Sequence, residues 1–239
     1  MNHRESLSKK NYKALLCCLL AVMSGVLSVI ASPNGQGTVP FSVENSAVNN
    51  LIIKAYEEDP TLWEAGQLYL VGLCYVAEKK LDKAQKIFDE LVTIAPQNAR
   101  AWRALGQVHH MKSANEEAQR CYQRAWSEGQ DVPALTLLAG LKIQDKDVEG
   151  IKPLLDALMA HQREDVDIQK VLLSYSIMVE EKQEGGPVYA SVARSLTKDM
   201  VEANDELREL LLMATLRYKN DEEVPSGDES RRQRTGVLW

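Results

Sequence analysis

The sequence predicts an all-α chain, an α-solenoid in which helix-turn-helix units stack on one another. Three observations carry this. Two glycines, Gly72 and Gly106, stand 34 residues apart in matching surroundings, and a period of that length is the mark of paired helices that need a neighbour to bury their apolar face. Composition favours helix over sheet, with two phenylalanines against many Leu and Ala and only eight prolines. Apolar stripes at helical spacing also flank the periodic region, over about 42–58 and again over about 199–219. With 239 residues and 45% apolar content, the chain has material for one well-buried domain plus accessory segments.

Residues 1–31 form the first element. Arg4, Lys9, Lys10 and Lys13 precede a run from Ala14 to Ala31 that holds no charge. As a helix this run would span roughly 27 Å. A basic flank, an apolar run and small residues at Val29 and Ala31 match a secretory signal or, left uncleaved, an amino-terminal membrane anchor. Basic charge before the run keeps that end cytoplasmic and sends the rest of the chain across. Leu16 before Cys17 argues against lipidation, which needs a small residue there. Residues 32–41, rich in Gly, Pro and Asn, read as a linker. Ser42 then opens a helix to about Glu58 with Val43, Ala47, Val48, Leu51, Ile52 and Ala55 on one face. Asp59-Pro60 closes it, because the residue before proline is pushed out of helical conformation.

Two clear repeats follow at 65–98 and 99–132. The first places Leu68, Val71, Gly72, Tyr75, Ala84, Phe88, Leu91 and Pro96 where the second has Trp102, Leu105, Gly106, His109, Ala118, Tyr122, Ala125 and Gln130. Small residues let paired helices approach, and the aromatics fill the space between pairs. In these residues the chain resembles the tetratricopeptide-repeat family, departing from it at Gln130, where a proline would close the second helix. The resemblance implies a right-handed superhelix. Continuing the 34-residue step reaches Gly140 and Ser174 and predicts two degenerate repeats at 133–166 and 167–198, with Lys152 and Gly186 in place of the small alanine. Helices over 42–58 and 199–219 cap the two ends of a domain spanning 42–219, and the polar residues 220–239, ending in Val237, Leu238 and Trp239, read as a disordered tail.

Composition and motifs argue against several functions. A net charge of −6 without a basic stripe speaks against nucleic-acid binding. No nucleophile elbow, phosphate loop or HExxH stands in the chain, so the reading is not an enzyme and needs no cofactor or metal. His109 and His110 are neighbours, so on one helix they diverge by about 100° and do not share a metal. His109 occupies the core aromatic place of its repeat, leaving His110 on the surface. Cys74 and Cys121 have no CxxC spacing and read as small buried hydrophobes. Pairs such as Glu116/Glu117 read as solvated helix faces.

The resemblance also implies where a partner would dock, since in such arrays the first helix of each repeat lines a concave groove. Tyr69, Leu73 and Val76 come from repeat one, and Arg100, Arg103, Gln107 and His110 from repeat two. Leu137, Leu141 and Gln144 follow from repeat three, with Val171, Tyr175 and Met178 from repeat four. Such a lining, apolar at both ends and positive in the middle, suits a protein or peptide with apolar anchors. The same residues would serve a homodimer. The implied function is a scaffold or adaptor in a bacterial envelope assembly or secretion pathway, periplasmic or held at the inner membrane through residues 14–31. The alternative is a cytoplasmic chaperone similar to those that shield secreted translocators in type III secretion, a resemblance confined to about 60–147. Residues 14–31 argue against it.

Overall fold

The computed structural model describes residues 46–161, 165–179 and 182–219. The amino-terminal run, the linker and the tail lie outside the described residues. No helix among the described residues is long and apolar enough to cross a membrane. All regular elements there are helices, as the periodicity predicts. The chain divides into two compact units, 1–80 and 81–239.

In the first unit, α1 (Ser46–Glu58) packs on α2 (Ala65–Ala77). The face that α1 buries is Asn49, Ile52, Ile53 and Ala55. The expected stripe is therefore rotated: Ala47 and Leu51 point to solvent, while Asn49 turns inward and its amide donates to Glu78 at 3.2 Å. A 3₁₀ turn over Pro60–Leu62 joins the two helices, and a reciprocal capping box between Glu64 and Gln67 starts α2. Tyr56 meets Trp63 and Tyr75 edge-on, at 6.0 and 6.5 Å.

The second unit opens with α3 (Leu81–Ile94), followed by α4 (Ala99–Met111), α5 (Asn115–Gly129) and α6 (Val132–Gln144). Beyond these come α7 (Val148–Ile151), α8 (Leu155–His161), α9 (Val166–Met178), α10 (Lys182–Ser195), α11 (Lys198–Ala203) and α12 (Asp205–Lys219). Each packs largely on its neighbours: α3 on α4, α4 on α5, α5 on α6, α6 on α9, and α9 on both α10 and α12.

Three of the turns between helices are built the same way. Lys79, Ser113 and Lys146 take left-handed backbone conformations, and the next residue's N–H reaches back to Tyr75, His109 and Lys142 at 2.8, 2.9 and 2.8 Å.

Those turns expose a slip in the expected period. Lys79 to Ser113 is a step of 34 residues, but Ser113 to Lys146 is 33. The helix caps agree. Asn98, Asp131 and Asp165 accept N–H groups of the first turns of α4, α6 and α9, so the helices start 33 and then 34 residues apart. The cause lies where Gln130 replaces the family's proline. There α5 runs one residue longer than α3, Gln130 itself takes a left-handed cap (φ 49°), and Asp131 caps the next helix at once. In the preceding connection three residues, Ala95-Pro96-Gln97, separate helix end from cap.

The corrected step reassigns the third and fourth repeats. Ala139 and Leu173, both fully buried, take the place of Gly106, not Gly140 and Ser174. Ile151 and Leu158 replace Ala118 and Ala125 and are fully buried, so Lys152 is not the misfit it seemed. The small residue of the fourth repeat is Gly185 rather than Gly186: a Cβ at Gly185 would meet Val179 Cγ1 at 2.6 Å and Ser176 O at 2.8 Å.

Two elements differ from expectation for local reasons. The second helix of repeat three is broken into α7, a 3₁₀ turn over Lys152–Leu154, and α8, since Pro153 lacks the N–H an α-helix needs. The expected helix over 199–219 is two, because Asn204 is extended and caps α12 with its side chain on the Leu207 N–H at 2.9 Å. The carboxyl end of α12 is tied to α9 by the Tyr218 hydroxyl, which donates to Ser176 O, and by Arg217, whose Nη2 donates to Val179 O at 2.5 Å.

Candidate functional site

The first helices of the second unit present one face outward. On α4, Arg100, Gln107, His110 and Met111 are exposed. Their spacing of seven, three and one puts them within one stripe of a helix turning about 100° per residue. Arg103 lies on the same stripe but is mostly covered, its guanidinium 3.3 Å from the carboxylate of Asp131, the cap of α6. This ion pair joins neighbouring first helices, and Ala99 and Trp102 of α4 pack with Ala134 and Leu138 of α6 beneath it.

Stepping 33 residues from the α4 stripe gives Pro133, Thr136, Gly140, Ile143 and Gln144 on α6; 34 further gives Asp167, Lys170, Ser174, Ile177 and Met178 on α9. Of the α6 set only Thr136 is buried, and all of the α9 set are exposed or half-buried. Lys170 is engaged by Glu206 at 2.9 Å and by Asp167 at 3.4 Å.

Two predicted groove residues do not belong to this face. Leu141 and Tyr175 are 2% and 1% exposed and sit in the hydrophobic core. The reason is the one-residue slip, which turns a helical side chain by about 100° and carries it from the rim to the interior. Leu137, Val171 and Met178 survive as half-buried rim residues packed partly on the core, and Gln144 is exposed. In the first unit Tyr69, Leu73 and Val76 are half-buried along α2. Met111, Gly140 and Ile143 are among the residues that sequence reasoning missed. Their signal was present in the cap residues Asn98, Asp131 and Asp165, which count the period more faithfully than the glycines.

On the opposite side of α4 lies a shallow cleft of about 330 Å³, lined by Trp102, His109, Glu117, Arg120, Cys121 and Arg124. His109, expected at the core aromatic place of its repeat, is only half-buried at the cleft wall, whereas its counterpart Tyr75 is buried. The cleft's charges are largely settled within α5, with Arg120 on Glu117 at 2.8 Å and Arg124 on Glu128 at 3.2 Å. Arg124 also lies over the Trp102 ring at 5.9 Å.

Both described cysteines are free and buried. Burial, with a smaller push from Glu78, raises the Cys74 thiol to about 12. Burial followed by the charge of Asp89 raises Cys121 to about 11. Neither is a nucleophile at neutral pH, because the thiolate is the reactive form.

Stacked helix pairs that share an outward face of their first helices define a helical-repeat protein. Residues 75–141 match the tetratricopeptide-repeat family model. No curated protein matches the chain in sequence. Among solved structures it is similar to the APC/C hetero-tetramer Cut9-Hcn1, with a TM-score of 0.53 at 15% identity, a likeness of fold that covers 86% of this chain and 44% of that one. The chain thus spans less than half the length of that protein. It is also similar to YrrB, described as a TPR protein with an unusual peptide-binding site, with a TM-score of 0.48 at 16% identity over 71% of this chain and 93% of that one.

Proposed function

We propose that the protein is a non-enzymatic scaffold whose first-helix face binds a segment of a protein partner. The observation that carries this is the outward stripe of α4 and α6. Arg100, Gln107, His110, Met111 and Gln144 are exposed side by side on helices whose other faces are packed. Half-buried Leu137, Ile143 and Met178 offer apolar contact at its rim. A photo-crosslinking residue at position 107 tests it, with position 123 on the exposed back of α5 as control. Partner adducts from 107 and none from 123 are expected. Adducts from 123 alone would move the interface elsewhere.

The place of action we propose is a bacterial envelope, in an assembly or secretion pathway. Its support is the basic flank and uncharged run over residues 1–31. Fractionating cells and sequencing the mature amino terminus decides this. Membrane-bound protein, or a start at Ser32, is expected. Soluble protein beginning at Met1 in the cytoplasm would favour the chaperone reading instead.

A further inference from the structure

The outer face of α12 is apolar where the end of a helical array is expected to be polar. α12 packs on α9 and α10 and buries Leu207 and Ala214 in their common core, with Leu210 and Leu211 partly covered by it. Leu212 stands two residues before Ala214, about 200° around the helix, and so points away from that core. It is 59% exposed, and Met213 and Leu216 beside it are 48% and 57% exposed. A single exposed leucine needs no explanation, but three large apolar side chains on adjoining turns form a patch. Among the described residues no helix follows α12 to cover it.

The patch is too small to hold a separate partner. It offers three side chains, whereas a specific interface covers about 800 Å² on each side. A tethered segment needs far less, because the tether keeps it at an effective concentration in the millimolar range. Residues 220–239 follow α12 directly and carry such a segment. Val237, Leu238 and Trp239 are their only apolar run, while Pro225, Gly227 and Gly236 argue against a covering helix. Seventeen residues, 220–236, precede that run. They reach about 55 Å at full extension, and Leu212 lies only about 10 Å back along the helix from Lys219. The charge order suits a reversal. Asp221, Glu222 and Glu223 come before the turn formers Pro225, Ser226 and Gly227, and Arg231, Arg232 and Arg234 come after them. A fold at Gly227 would set Glu223 opposite Arg231 and Glu222 opposite Arg232, opposite charges that favour the pairing. We infer that residues 220–239 turn back at Gly227 and seat Leu238 and Trp239 on Leu212, Met213 and Leu216, closing the end of the array.

The test places a photo-crosslinking benzoylphenylalanine at position 239 of the full chain and maps the adducts by mass spectrometry. Adducts within single chains, on the tryptic peptide 209–217, are expected. Leu212→Glu combined with Leu216→Glu removes them at unchanged helical content, since both side chains are exposed. In parallel, trypsin cuts the parent after Arg231, Arg232 and Arg234 about tenfold more slowly than it cuts Trp239→Ala, because cleavage follows the fraction released. Adducts that survive the double substitution, or that fall on other helices, overturn the inference. Equal cleavage of the parent and Trp239→Ala does so too. Adducts that join two chains overturn it in favour of a second copy on the patch.

Discussion

Gly106 shows how much a single hydrogen decides in this fold. The Tyr122 ring lies where a Cβ would go, and Tyr122 is fully buried, so the ring has nowhere to move. Gly106→Ala gains about 1 kcal/mol in helix propensity but overpacks the contact between α4 and α5, which typically costs 1–3 kcal/mol. A net loss of up to about 2 kcal/mol is expected, read as a lower urea midpoint at unchanged slope. A variant as stable as the parent would mean that the two helices are free to separate. Gly140, one repeat on and the same residue in the 34-residue pattern, obeys the opposite rule because its Cβ position opens outward.

At the scale of the element, the connection from α5 to α6 sets which side of every later helix is core. Gln130 and Asp131 shorten it, and a shift of one residue exchanges Leu141 for Gly140 on the outer face. This is open to a paired test. Leu141→Asp buries an unpaired carboxylate and is expected to cost more than about 3 kcal/mol. Gln144→Asp, three residues on and exposed, is expected to change stability by less than about 0.5 kcal/mol. Thermal melts of the two variants check it, and comparable losses would return Leu141 to the surface. The same connection places Asp131 as both the cap of α6 and the partner of Arg103, so the chain's local chemistry and its stacking meet in one carboxylate.

Over the whole molecule, the buried thiols give stability an alkaline limb. Their native values lie near 12 for Cys74 and 11 for Cys121, whereas an unfolded thiol titrates near 8.5. Below about 8.5 both states keep the proton and the thiols add no pH dependence. Above it the unfolded chain loses protons that the native state keeps, so stability falls as pH rises, by up to about 1.4 kcal/mol per pH unit for each thiol. Between about 8.5 and 10, below the tyrosine range, the slope should be nearly halved in Cys121→Ala. Urea unfolding across that window measures it, and an unchanged slope would show that Cys121 is not protected from titration.

By itself the sequence determined the helical class, the 34-residue unit, the small-residue contacts at Gly106 and Ala118, and the outward stripe of α4. These follow from local periodicity, steric size and capping chemistry, which a chain carries whatever surrounds it. It also held the cue for the slip, in Asn98, Asp131 and Asp165, although glycine and serine at the expected step pointed one residue away. Only the tertiary structure decided that Leu141 and Tyr175 are core, that Gly185 rather than Gly186 receives its neighbour, and that Gly140 faces open space. Those outcomes depend on where one helix is set down against the next. A single residue gained or lost in a connection rotates everything beyond it by about 100°, and no residue type on the helix itself records that rotation.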